Sequence, residues 1–127
     1  MKTRIIVGVL WIVILLGLLF YPMNASPIYS WGGFPHWDKV AHFGLFGVTG
    51  IVGVFVTGFL NRLKDRVLFS LLLGFALAAG TEVGQSLIPH RDMSIYDFAA
   101  DMAGLIAGLL FYALLYRNRS LRSLLRL

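Results

Sequence analysis

The stretch IYDFAADMAGLIAGLLFYALLY, residues 95–116, carries the reading of the fold. It is long enough to cross a ~30 Å hydrocarbon layer as a helix, which takes about 20 apolar residues. Yet it holds two aspartates near its start, Asp97 and Asp101. On a helix Ser94, Asp97, Asp101, Gly104 and Gly108 fall on one face, polar at one end and small-residue toward the other. Small residues let helices approach closely in lipid, where no hydrophobic force drives helix against helix. The segment therefore reads as a membrane helix with a partner along that face.

Three further segments resemble it in length and polarity: residues 5–21, 40–60 and 67–88. So few long segments cannot close a barrel, which leaves helices as the structure able to span lipid. Composition agrees. The 127 residues are 58% apolar and 13% charged, with a mean hydropathy of +0.80, against ~25% charged in soluble domains. That much apolar surface cannot be buried in a water-soluble core of this size. The absence of cysteine excludes disulfides and thiolate metal sites. The expectation is an all-α integral membrane protein with four transmembrane helices, one domain over residues 1–127.

Charge sets the expected orientation. Nine of the eleven Lys and Arg residues lie before the first segment (Lys2, Arg4), between the second and third (Arg62, Lys64, Arg66) or after the fourth (Arg117, Arg119, Arg122, Arg126). All acidic residues except Asp65 lie in the other segments, with all three histidines. By the positive-inside bias, both termini are cytoplasmic. This anchoring accounts for the +5 net charge and basic pI without any nucleic-acid partner. The tail, residues 117–127, suits a short helix lying on anionic headgroups. The first segment reads as a retained helix, because Met23-Asn24-Ala25 is a poor signal-peptidase site. The sequons at Asn24 and Asn118 read as chance. The loop from Pro22 to Trp37 is rich in Pro, Gly and aromatics, which fits an interfacial aromatic belt or a lid on the outer face.

The other helices repeat the stripe. Asp38 and His42 share a face that continues through Thr49 and Gly53, Glu82 and Gln85 share one that continues through Ala78, and Gly44, Gly47, Gly50 and Gly53 read as packing positions. Glu82 and Asp101 each lie six residues inside a segment end, ~9 Å deep at 1.5 Å per residue. Carboxyl groups at that depth cost a few kcal/mol each. They are protonated, paired with His42, Lys39 or Arg91, or solvated in a pocket. The candidate acid–base residues are Glu82, Asp97 and His42. The candidate binding residues are Arg91, Lys39, Asp38, Gln85, Asp101 and Ser94. Three chemistries fit: a divalent ion on mixed nitrogen and oxygen ligands, acid–base hydrolysis, or capture of a lipid phosphate by Lys39, His42 and Arg91. The spacing matches no metal motif, so no metal ligand is assigned, and neither a cofactor nor an oligomeric state is named by any motif.

In order along the chain stand Asp38-Lys39-x-x-His42-Phe43, Glu82-x-x-Gln85, Pro89-x-Arg91-x-x-Ser94-x-x-Asp97 and Asp101-x-x-Gly104. This series resembles the VanZ-like membrane protein family. The resemblance implies a small bacterial inner-membrane protein, of a family whose founding member is associated with low-level teicoplanin resistance. It also implies functional weight for Asp38, His42, Glu82, Gln85, Arg91 and Asp97. One departure stands out: the family usually has Asn where this chain has Asp101. Such an Asp either carries a proton or takes a partner cation, which favours Glu82 and Asp97 as acting acids. The expected function is binding of an envelope lipid or lipid-linked cell-wall precursor, with its modification left open. The competing expectation is a non-catalytic protein whose cluster sets helix registry and supports partner assembly. A reporter enzyme active only outside the cytoplasm, fused to Leu127, should be silent; activity there overturns the expected topology.

Overall fold

The computed structural model describes residues 1–21, 36–89 and 93–118. Among them the chain forms four α-helices: α1 (Lys2–Leu19), α2 (Trp37–Val56), α3 (Leu63–Ser86) and α4 (Ile95–Arg117). All four are long and apolar enough to span a membrane. The residues 22–35, the segment 90–92 with Arg91, and the tail from 119 lie outside the described residues.

The helix ends differ from the apolar segments by a few residues, for one physical reason. Hydropathy marks where lipid is, whereas capping and turn chemistry mark where the helix stops. α1 starts at Lys2 and α3 at Leu63, because Lys, Arg and Asp are acceptable in a first turn at the membrane surface. Trp37, expected in the loop, is the first residue of α2. α2 stops at Val56, where the Thr57 hydroxyl donates to the Gly53 carbonyl at 2.8 Å and the chain turns. The Arg66 guanidinium then donates to the Leu60 carbonyl at 2.7 Å, pinning that connection. α3 ends at Ser86, short of Pro89, since the residue before a proline is pushed out of the helical region. α4 begins at an N-cap: the Ser94 hydroxyl accepts from the Asp97 amide at 3.2 Å. Asp97 in the first turn and Arg117 in the last both suit the helix dipole.

The burial pattern is inside out relative to a soluble protein. Large apolar side chains such as Val13, Leu72, Leu110 and Leu114 point outward, while His42, Thr49, Ser70, Glu82, Gln85 and Asp101 are buried. Lipid solvates the apolar exterior, and polar side chains turn inward to find partners. The apolar core is small: Leu15, Leu19, Phe46, Val54, Ala78, Leu105, Leu109 and Tyr112. Phe75 and Phe98 meet edge to face at 5.7 Å and join α3 to α4.

α2 and α4 are the most extensively packed pair, and glycine is why. A Cβ on Gly108 would collide with the Gly47 carbonyl, and one on Gly104 with the Phe43 carbonyl. On Gly50 it would stand 2.6 Å from the Leu105 carbonyl oxygen. The two backbones are thus in direct contact over two turns. The expectation for Gly47, Gly50 and Gly53 holds, with Gly53 against Ser70 of α3. Gly44 corrects it, because nothing stands within 4 Å of its Cβ position and the residue is exposed. That follows from geometry: Gly44 lies off the face that carries Gly47 and Gly50 toward α4.

The helices run up and down, so two chemically distinct ends result. At one end Arg4 lies over the Phe55 ring at 5.4 Å and Arg66 over Tyr116 at 5.9 Å. At the other end stand Asp38, Lys39, His42, Glu82, Asp97 and Asp101. In unfolding titrations in detergent, Gly108→Ala should lose about 1–3 kcal/mol through overpacking. Gly44→Ala should lose nothing, since Ala is the better helix former.

Candidate functional site

The acidic end is organised around the imidazole of His42. Its position on α2, one turn in from Asp38 and Lys39, aims the ring at α4 and α3. Nδ1 shares a 2.8 Å hydrogen bond with Asp101 Oδ1 and lies 4.0 Å from Glu82 Oε1. Nε2 lies 3.8 Å from Asp38 Oδ1. His42 and Glu82 are each 2% exposed and Asp101 is 0% exposed, so the three groups meet away from water. In such surroundings charges interact more strongly than at a surface, and a group left without a partner is costly.

Around this centre each helix is tied to another. Lys39 Nζ on α2 donates to Asp97 Oδ1 on α4 at 2.9 Å, with the lysine side chain 37% exposed and the aspartate 12%. The Ser94 amide donates to Glu82 Oε2 at 2.9 Å, fastening the start of α4 to α3. The Gln85 amide donates to the Leu19 carbonyl at 2.9 Å, tying α3 to the C-terminal end of α1. The described polar candidates thus gather at one end of the bundle.

Several of them take more specific places than their spacing suggested. The Ser94 hydroxyl caps α4 and its backbone amide holds Glu82. Gln85 serves the end of α1. Because α3 stops at Ser86, Glu82 sits four residues from its helix end rather than six. It still reaches the level of Asp101, since both approach the same His42 nitrogen. Asp101 takes His42 as its partner. Arg91, expected to bind, lies outside the described residues.

Two polar contacts escaped sequence reasoning. Trp11 Nε1 donates to Thr49 Oγ1 at 2.9 Å, and the Thr57 and Ser70 hydroxyls lie 3.3 Å apart. The first was open to inference, because a tryptophan N–H amid apolar residues needs an acceptor.

Two sets of three side chains stand close enough to share one cation: Asp38, His42 and Asp97 on the Nε2 side, and His42, Glu82 and Asp101 on the Nδ1 side. Their donor atoms lie within 4.8 Å of one another in each set. No sequence motif announces them because the ligands come from α2, α3 and α4. A double-mutant cycle on Lys39→Met and Asp97→Asn, read by detergent unfolding, should give a coupling of about 1 kcal/mol. A coupling near zero would mean that this pair does not join α2 to α4.

The same chain was compared with known proteins. The family model described as VanZ/LLP1 matches residues 6–116. No curated protein and no solved structure matches it. The matched span contains α2 and α3 whole, α1 from residue 6 onward, α4 to residue 116, and the acidic-end cluster of Asp38, Lys39, His42, Glu82, Asp97 and Asp101. With that span and that architecture, the chain belongs to the VanZ/LLP1 family of multi-pass membrane proteins.

Proposed function

We propose that this protein binds the headgroup of an envelope lipid, or of a lipid-linked cell-wall precursor, at the outer face of the bacterial inner membrane. The observation that carries this reading is the convergence of polar side chains from α2, α3 and α4 at one end of an otherwise lipid-facing bundle. Intramembrane ionisable residues are expensive and seldom retained without a task. Segregation of the basic residues to the opposite end supports cytoplasmic termini and an outward-facing cluster.

In this reading Lys39 at the half-exposed rim, with Arg91 of the adjoining segment, engages headgroup phosphate. Asp97 and Asp38 take hydroxyl or ammonium groups. Glu82 and His42, at the buried centre, are the groups suited to move a proton should the bound headgroup be modified.

The test compares wild type with Asp97→Asn and Arg91→Ala, purified from the native membrane and extracted for lipid mass spectrometry. One lipid class should be enriched over the bulk membrane in wild type. Each variant should reduce that enrichment by about tenfold, the loss of one charge-assisted hydrogen bond, while Asp97→Asn loses no more stability than the ~1 kcal/mol of its pair with Lys39. A lipid profile identical in all three proteins sinks the reading. Equal losses of stability and lipid would make the cluster a device for helix registry instead.

A further inference from the structure

Two buried carboxyl oxygens beside the His42 ring, Glu82 Oε1 and Asp101 Oδ2, have no hydrogen-bond partner among the described residues. Both belong to side chains at least 97% removed from solvent. A native bundle seldom leaves such atoms unsatisfied, and each one calls for a specific explanation. They are also not alone. Asp38, Glu82, Asp97 and Asp101 gather here against Lys39 as the one lysine or arginine among the described residues in their ion pairs. Among the described residues the cluster is short of positive charge.

We propose that His42 Nδ1, Glu82 Oε1 and the Asp101 carboxylate hold a divalent transition-metal ion, Zn²⁺ or Mn²⁺. Imidazole favours zinc and its neighbours, while carboxylate oxygens also accept manganese, so one nitrogen with two carboxylates selects these ions over Cu(I) or iron–sulfur chemistry. The geometry is near what an ion needs. With bonds of ~2.1 Å, donors around a tetrahedral ion stand about 3.4 Å apart. Here Nδ1 lies 2.8 Å from Asp101 Oδ1 and 4.0 Å from Glu82 Oε1, and the three donors fall within 4.8 Å of one another. Small side-chain rotations close that difference without moving a helix.

The charges distinguish this set from its neighbour. Asp38, His42 and Asp97 also stand within reach of one ion, on the Nε2 side. There, however, the Lys39 ammonium already sits 2.9 Å from Asp97 and repels a second cation. On the Nδ1 side no lysine or arginine among the described residues pairs with Glu82 or Asp101. The outer partners fit as well. With metal on Nδ1, the proton of His42 rests on Nε2, facing Asp38 Oδ1 at 3.8 Å. A carboxylate behind a ligating histidine orients the ring and raises its basicity. The Ser94 amide holds the other Glu82 oxygen at 2.9 Å, leaving Oε1 to point inward. The ion site shares His42 and Glu82 with the lipid reading, but the two are read separately, by bound metal and by bound lipid, so one can fail while headgroup binding or ion binding survives.

The test uses the full chain in detergent, purified without chelator, equilibrated with Zn²⁺ or Mn²⁺, desalted and analysed by mass spectrometry for metal. Wild type and the Gly44→Ala control should each carry about one ion per chain. Glu82→Gln and Asp101→Asn should each retain at most a tenth of that, with wild-type helix content by circular dichroism. Asp38→Asn should bind roughly 10- to 100-fold more weakly, as loss of such an outer partner does. Chelation should lower the unfolding temperature of wild type and leave that of Asp101→Asn unchanged. Wild type carrying less than about a tenth of an ion per chain with both metals overturns the proposal, as does full loading of both carboxamide variants. Should those two variants fail to fold, an Asp38→Asn affinity equal to wild type overturns it too.

Discussion

The contact on which the rest depends is backbone against backbone between α2 and α4. Gly108 meets the Gly47 carbonyl, Gly104 meets the Phe43 carbonyl, and Gly50 meets the chain at Leu105 and Leu109. In lipid, helices associate through such close approach rather than through exclusion of water. One consequence is positional. His42 precedes Phe43 and Asp101 lies three residues before Gly104, so the glycine contact also brings imidazole to carboxylate at 2.8 Å. Anything that forces the helices apart at the glycines separates the polar groups at the end.

The polar cluster in turn determines how α1 and α3 join that pair. The amide of Ser94 fastens α3 through Glu82, and Gln85 fastens α1 through the Leu19 carbonyl. Lys39 and Asp97 close the rim between α2 and α4. Each bond joins polar groups of two different helices, which gives the acidic end a structural task alongside any ligand. The opposite end needs less. There Arg4 and Arg66 lie over aromatic rings, and the basic residues keep the company expected at a headgroup surface.

Much of this was legible in the chain. Apolar length named four helices, and the stripes running from Asp38 through Thr49 and from Asp97 through Gly108 named the faces that meet. Helix ends were less legible: α3 extends back to Leu63 through the charged turn of Lys64, Asp65 and Arg66, and stops at Ser86 short of Pro89. Gly44 shows the limit of composition, since only three of the four glycines expected to pack in α2 do so. The spacing of Glu82 and Gln85 placed both on one face, yet one serves Ser94 and His42 while the other serves α1.

The sequence by itself determined that the chain lives in a membrane, how many times it crosses, and which end collects the carboxylates. Those properties depend on local quantities, such as the run length of apolar residues, the helical repeat and the placement of charge. Only the tertiary structure decided who partners whom: His42 with Asp101, Lys39 with Asp97, Glu82 with the Ser94 amide. A metal-like triad also emerges only there, because its three ligands come from three helices and share no spacing along the chain. Pairing depends on which helices touch and at what height, and that is set by the small-residue contact between α2 and α4, at distances no single-chain periodicity encodes.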